Sequence, residues 1–150
     1  MNTLLYDFWK WAEITPQEYA EKGIPLMSEK AEFNYPHFGE LIDYAEMLLL
    51  HQKLSKEEMT DALTIMALDN ENEDVLDYAA DNASNALVLE LVSLGVTFPQ
   101  PNTRWQIAEL AYRRRPNGFE DFLKLLLCDP DSYVRKRASN CLEYLANKAK

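Results

Sequence analysis

Two His, two Cys and 25 Asp or Glu are the side chains of this 150-residue chain best suited to chemistry. General acid–base catalysis needs a His or a desolvated carboxyl poised near neutral pH. A structural metal needs about four Cys, His or carboxylate ligands brought together. His37, in "YPHF", follows Pro36 and reads as a helix-start residue, and His51 has no Cys or second His near it in sequence. Cys128 and Cys141 stand alone, without metal-ligand spacing. The chain has no Gly-rich phosphate loop and no nucleophile elbow, and no pair of carboxylates is set apart from the others. The expectation is a protein without catalytic residues, metal or cofactor, whose cysteines are small buried thiols.

Binding is then the chemistry left, and charge is its first clue. The formal net charge is −10, unevenly divided: residues 1 to 100 hold 5 Lys, no Arg and 19 Asp or Glu, and residues 101 to 150 hold 10 Lys or Arg and 6 Asp or Glu. One end should be strongly negative and the other mildly positive, which bears on partners more than on fold. The basic residues gather in "YRRRP" (112–116) and "VRKR" (134–137). A nucleic-acid surface usually appears as a basic domain, so a protein partner with a basic surface is the primary expectation and nucleic acid the alternative. No apolar run approaches the roughly 20 residues that span a bilayer, and the first residues do not read as a signal peptide. These features point to the cytoplasm, with no membrane partner.

The elements that must position these groups are helices. "TPQE" from Thr15, "SKEE" from Ser55 and "TRWQ" from Thr103 each read as a capping box, with stops at Gly23, Gly95, Pro116-Asn117-Gly118 and Asp129-Pro130. The apolar spacing between them predicts helices near 3–13, 16–22, 37–53, 56–68, 73–83, 85–94, 103–115, 119–128 and 132–148. No stretch alternates with period two for long enough to be a strand. The chain is expected to be all-α and a single domain over 1–150.

Three of these helices share a pattern. Val75, Ala79 and Ala83 match Arg104, Ala108 and Tyr112, and these match Val134, Ala138 and Leu142. Each helix follows a shorter Leu-rich one. Small residues at every fourth position let a helix pack closely on its partner and on both neighbouring pairs, which is the pattern of a stacked-hairpin solenoid. The stretch "DPDSYVRKRASNCLEYL" (129–145) resembles the second half of a HEAT-like repeat, and "RWQIAELA" and "DNENEDVLDYAADNA" resemble weaker copies. The resemblance covers residues 56–148. It implies a right-handed α–α superhelix of about three helix pairs, with residues 1–55 as an N-terminal helical cap. It further implies a scaffold that binds proteins, or occasionally nucleic acids, and does no chemistry. Arg135, the Arg after Val, is expected to pair with an acidic loop residue of an adjacent repeat.

On that alignment Asp77 corresponds to Gln106 and Lys136, and Asp81 to Leu110 and Asn140. The ridge of second helices should therefore grade from negative to neutral to positive. Asp74, Asp77, Asp81, Lys136 and Arg137 are its candidate partner-binding residues, joined by Trp105 beside Arg104. The irregular segment 27–38, with its aromatics, is a second candidate surface. A small acidic inhibitor that covers a basic toxin is one function such a surface would serve, and a DNA-repair role through the Arg clusters is the alternative.

Overall fold

A computed structural model describes residues 1–22 and 34–148. Among these residues the secondary structure is helical, without strands: α1 (Thr3–Ala12), α2 (Pro16–Lys22), α3 (Phe38–Leu49), α4 (Lys56–Leu68), α5 (Asp74–Asn82), α6 (Asn85–Gly95), α7 (Pro101–Arg114), α8 (Phe119–Leu126) and α9 (Ser132–Lys148). The expected stop at Gly23 and residues 27–33 of the irregular segment lie outside the described residues.

Local chemistry explains most helix starts. Ser55 accepts from the Glu58 N–H at 3.1 Å, and the Glu58 carboxylate accepts from the Ser55 N–H at 2.9 Å. Such reciprocal bonds satisfy two otherwise free backbone donors. Thr15 accepts from the Glu18 N–H at 3.1 Å. Thr103 does something else. α7 begins two residues earlier, at Pro101, with Gln100 as N-cap. Pro suits this first position because its missing N–H would have had no helical acceptor. Thr103 is fully buried inside the helix, and its hydroxyl donates to the Leu63 carbonyl of α4 at 2.6 Å.

The fold is organised around α4. Met59 and every residue from Asp61 to Leu68 are buried, and a helix that is apolar all round needs neighbours on every side. α3 and α7 flank it, and α4 touches α5 and α6 less extensively. Fully burying a side chain such as Ile65 or Leu68 is worth roughly 1.5–3 kcal/mol. Two α7 side chains bond to α4 backbone carbonyls: Thr103, and Gln106, which donates to Met66 O at 2.7 Å.

A second layer runs α3, α5, α7, α9, each helix packed on the next, with α6 against α7 and α8 against both α7 and α9. Close approach there depends on small residues. Ala79, Ala108 and Ala138 are each 0% exposed, and the Cys141 thiol lies 3.8 Å from the Ala108 carbonyl. Gly95 ends α6 with ordinary negative φ, and its importance is space: a Cβ there would lie 2.4 Å from Ile107 Cγ1. Gly118, by contrast, is needed for its φ of 80°, which turns the chain into α8.

Residues 1–22 pack across this framework. α1 lies on α3, and Phe8, Trp9, Trp11, Tyr19 and Tyr35 form a chain of ring contacts. The Tyr19 hydroxyl donates to Ala67 O of α4 at 3.3 Å, while Gln100, before α7, donates to Pro16 O at 2.9 Å. The N-terminal helices thus cover α4 and reach the linker between α6 and α7.

Candidate binding surface

The basic clusters are largely engaged within the chain. Arg113 pairs with Asp77 at 2.8 Å. Arg114 donates to Ala83 O at 2.7 Å and to Asn85 Oδ1 at 2.8 Å, closing the end of α5 and tying it to α6. The Arg115 guanidinium lies 5.4 Å from the Tyr112 ring centroid. Arg137 sits 4.5 Å from the centre of the Trp105 ring, donates to Glu109 at 2.8 Å and to the Tyr133 hydroxyl at 2.8 Å, and has Glu73 at 3.9 Å. A guanidinium stacked and bonded in this way fixes α9 on α7.

Several expected contact residues therefore have other roles. Trp105 is 5% exposed, and its Nε1 donates to Asn102 at 3.1 Å, so it is a packing residue that offers no face to a partner. Gln106 and Leu110, expected to continue the graded ridge, are both 0% exposed because α7 lies among α4, α5, α6, α8 and α9. The ridge is interrupted at α7. Asp74, Asp77, Asp81 and Lys136 are exposed as expected. Arg135, expected to pair with an acidic loop residue, donates instead to the backbone carbonyl of Asp129 at 2.6 Å. That pairing belongs to Arg104, whose guanidinium holds the buried Asp129 carboxylate in two bonds of 2.8 and 3.1 Å. Cys128 is exposed, contrary to expectation, while Cys141 is buried and its thiol is pushed up to about 12, first by burial and then by the Glu109 charge.

α3 supplies what the sequence did not reveal. Asp43, Glu46, Met47 and Leu50 are spaced three, four and seven apart, which places them on one face of the helix and its C-terminal end. Met47 and Leu50 are 50% and 61% exposed. Partial burial and the charges of Asp43 and of Asp74 on α5 push the Glu46 carboxyl up. No Lys or Arg among the described residues forms a salt bridge with Asp43, Glu46, Asp74 or Asp81. The α3 and α5 helices therefore share a surface on which carboxylates repel one another beside exposed apolar side chains. The signal was present in the spacing of residues 43–50, but it depended on knowing that α3 lies next to α5.

A buried carboxyl lies close to this surface. Asp69, in the α4–α5 loop, accepts from the Val75 N–H at 2.8 Å and serves as the cap that Glu73 does not provide. Burial first, then the charges of Asp74 and Glu73, raises its carboxyl to about 7, against the bonds from the Val75 and Asp74 backbone. Asp69 Oδ1, Gln100 Oε1, Gln106 Oε1 and Trp9 Nε1 are buried without hydrogen-bond partners among the described residues. A cavity of about 830 Å³ lies between α1, α2, α4 and residues 98–100. Among the described residues no group of three or more His, Cys, Asp or Glu could hold a metal ion, and no helix is long and apolar enough to cross a membrane.

Comparison with protein-family models, curated proteins and solved structures found no match to this chain.

Proposed function

We propose that this chain is a non-catalytic helical-repeat protein of HEAT-like type that binds another protein through the outer surface of α3 and α5. The observation that carries this reading is the group Asp43, Glu46 and Asp74 beside exposed Met47 and Leu50. The charges of Asp43 and Asp74 disfavour that of Glu46, and a basic partner would relieve that repulsion while covering the apolar side chains. Charge opposition of this kind mainly raises the association rate. Asp81 extends the acidic surface along α5. In this reading the helix pairs α6–α7 and α8–α9 are repeat units of a right-handed superhelix, in which α4 and α5 form the first pair. A small acidic protein of this shape suits the role of an inhibitor that covers a basic active surface. A nucleic-acid role is less well supported, because Arg104, Arg113, Arg114, Arg135 and Arg137 are bonded within the chain.

The test compares the immobilised chain with an Asp43→Lys, Glu46→Lys, Asp74→Lys variant in capture from the native cell. Asp43 and Asp74 are exposed and Glu46 is half-buried; at the two exposed positions each substitution should shift stability by no more than about 0.5 kcal/mol, and helical circular dichroism checks that the variant is folded. A basic protein retained by the native chain at low salt and lost by the variant supports the reading. Equal retention by both overturns it, as does sub-micromolar binding of duplex DNA at moderate salt.

A further inference from the structure

The cavity between α1, α2, α4 and the α6–α7 linker is built for something smaller than a protein. Its volume, about 830 Å³, falls within the roughly 300–1,000 Å³ of pockets that enclose small organic ligands. Leu5, Trp9, Pro16, Phe98 and Pro99 make most of its wall apolar. Its charged lining is unbalanced: Glu21, Glu57 and Asp61 face Lys56 and the Met1 amine.

Asp61 is the telling residue. It is 4% exposed and begins the buried stretch of α4 that runs from Asp61 to Leu68. The Tyr44 hydroxyl donates to its Oδ2 at 2.9 Å, but no Lys or Arg side chain among the described residues is salt-bridged to it. The charge of the Met1 amine, which bonds to Glu57, and the Asn2 backbone N–H also favour its ionised form. Burial pushes the carboxyl up from its ordinary range all the same. The Met1 amine is bonded to Glu57, so Asp61 has no ion pair of its own among the described residues, and a buried carboxylate in that position is costly unless something supplies the charge. Gln100 closes the far wall of the cavity, its side-chain amide donating to Pro16 O at 2.9 Å.

We infer that this cavity is a binding site for a small hydrophobic organic cation, an alkyl or aryl ammonium whose charge is met by Asp61 and whose apolar body lies among Leu5, Trp9 and Phe98. An organic anion of the same size would meet three carboxylates against the two cations of Lys56 and the Met1 amine. A neutral molecule would gain the apolar contacts but leave Asp61 as it is. This site is separate from the α3–α5 surface, and the inference stands without the protein-binding reading.

Three probes with one tail and different heads test it: phenylbutylammonium, phenylbutanol and phenylbutanoate, titrated into the full chain and followed by proton–nitrogen NMR. The ammonium should move the Trp9 indole and the Thr60 and Thr64 amide signals, and should bind about tenfold more tightly than the alcohol, a difference of about 1.4 kcal/mol. The carboxylate should bind most weakly. Asp61→Asn, whose amide oxygen can still accept from Tyr44, should bring the ammonium down to the affinity of the alcohol. Ala20→Phe, which fills the cavity from its partly exposed α2 wall, should remove binding of all three. The probe series on the unaltered chain decides the matter even if Asp61→Asn fails to fold. Phenylbutanoate binding as tightly as the ammonium, or shifts that spare Trp9, Thr60 and Thr64, would overturn the inference.

Discussion

Replacing Asp69 with Asn should make the protein more stable at slightly alkaline pH and leave it little changed in acid. Burial raises the native carboxyl to about 7 from its ordinary 3.8. Between those values the folded chain holds a proton that the unfolded chain has released. Stability must therefore fall as pH rises through that window and level off above it. Each unit of difference corresponds to about 1.4 kcal/mol, so a shift of about three units sets a ceiling of about 4 kcal/mol. Asn resembles the protonated acid: its Oδ1 can accept from the Val75 N–H, and its amide group takes the place of the unpartnered Oδ1. Other carboxyls titrate in both proteins and cancel in the difference. Urea unfolding followed by helical circular dichroism, at several values from about pH 4 to about pH 8, should show the variant gaining about 2–4 kcal/mol over the native chain as pH rises. Parallel stability curves across that range would refute the reasoning, because they would mean that Asp69 is ionised in the native fold at no appreciable cost.

Three further perturbations test the packing. Gly95→Ala places a methyl group against Ile107, which is 0% exposed and cannot swing into solvent; the overpacking cost of about 1–3 kcal/mol should exceed the gain of up to about 1 kcal/mol in helix propensity. Adding Ile107→Val, which deletes Cδ1, should return part of the loss in the same urea assay. Arg104→Met leaves the buried Asp129 carboxylate without its cation and should cost about 3–5 kcal/mol, read from thermal unfolding. A soluble disulfide reagent at neutral pH should modify Cys128 promptly, while Cys141, buried and with its thiol raised to about 12, should react only on unfolding; two thiols reacting at one rate would contradict the placement of α9 on α7.

The helices were legible because their ends carry local chemistry that needs no tertiary context. Ser55 and Glu58 announce α4, and Pro116 to Gly118 break the chain before α8. The same rule misread Thr103, since "TRWQ" has the spacing of "SKEE" but lies inside a helix already started by Pro101. A hydroxyl beside a buried carbonyl and a hydroxyl at a cap look alike in sequence. Likewise Gln106 is polar and was expected outward, but α4 lies against it and offers the Met66 carbonyl. Burial on all sides is a property of neighbours, and it is what closes the graded ridge at α7. The small positions at Ala79, Ala108 and Ala138 were readable because their spacing repeats. The α3–α5 surface and the cavity were not. Each joins segments well separated in the chain: Glu46 lies near Asp74, and Trp9 lines a space shared with Asp61 and Phe98.

The most direct test of the central claim is to ask which face a captured partner touches. A photoreactive phenylalanine analogue at Met47, at Asp81 and at Leu125, each exposed, would be irradiated in the complex and the adducts mapped. Cross-linking from Met47 and Asp81, with none from Leu125 on α8, is the result that the α3–α5 surface predicts. Cross-linking from Leu125 with none from Met47 would place the partner on α8, away from α3 and α5, and contradict the account.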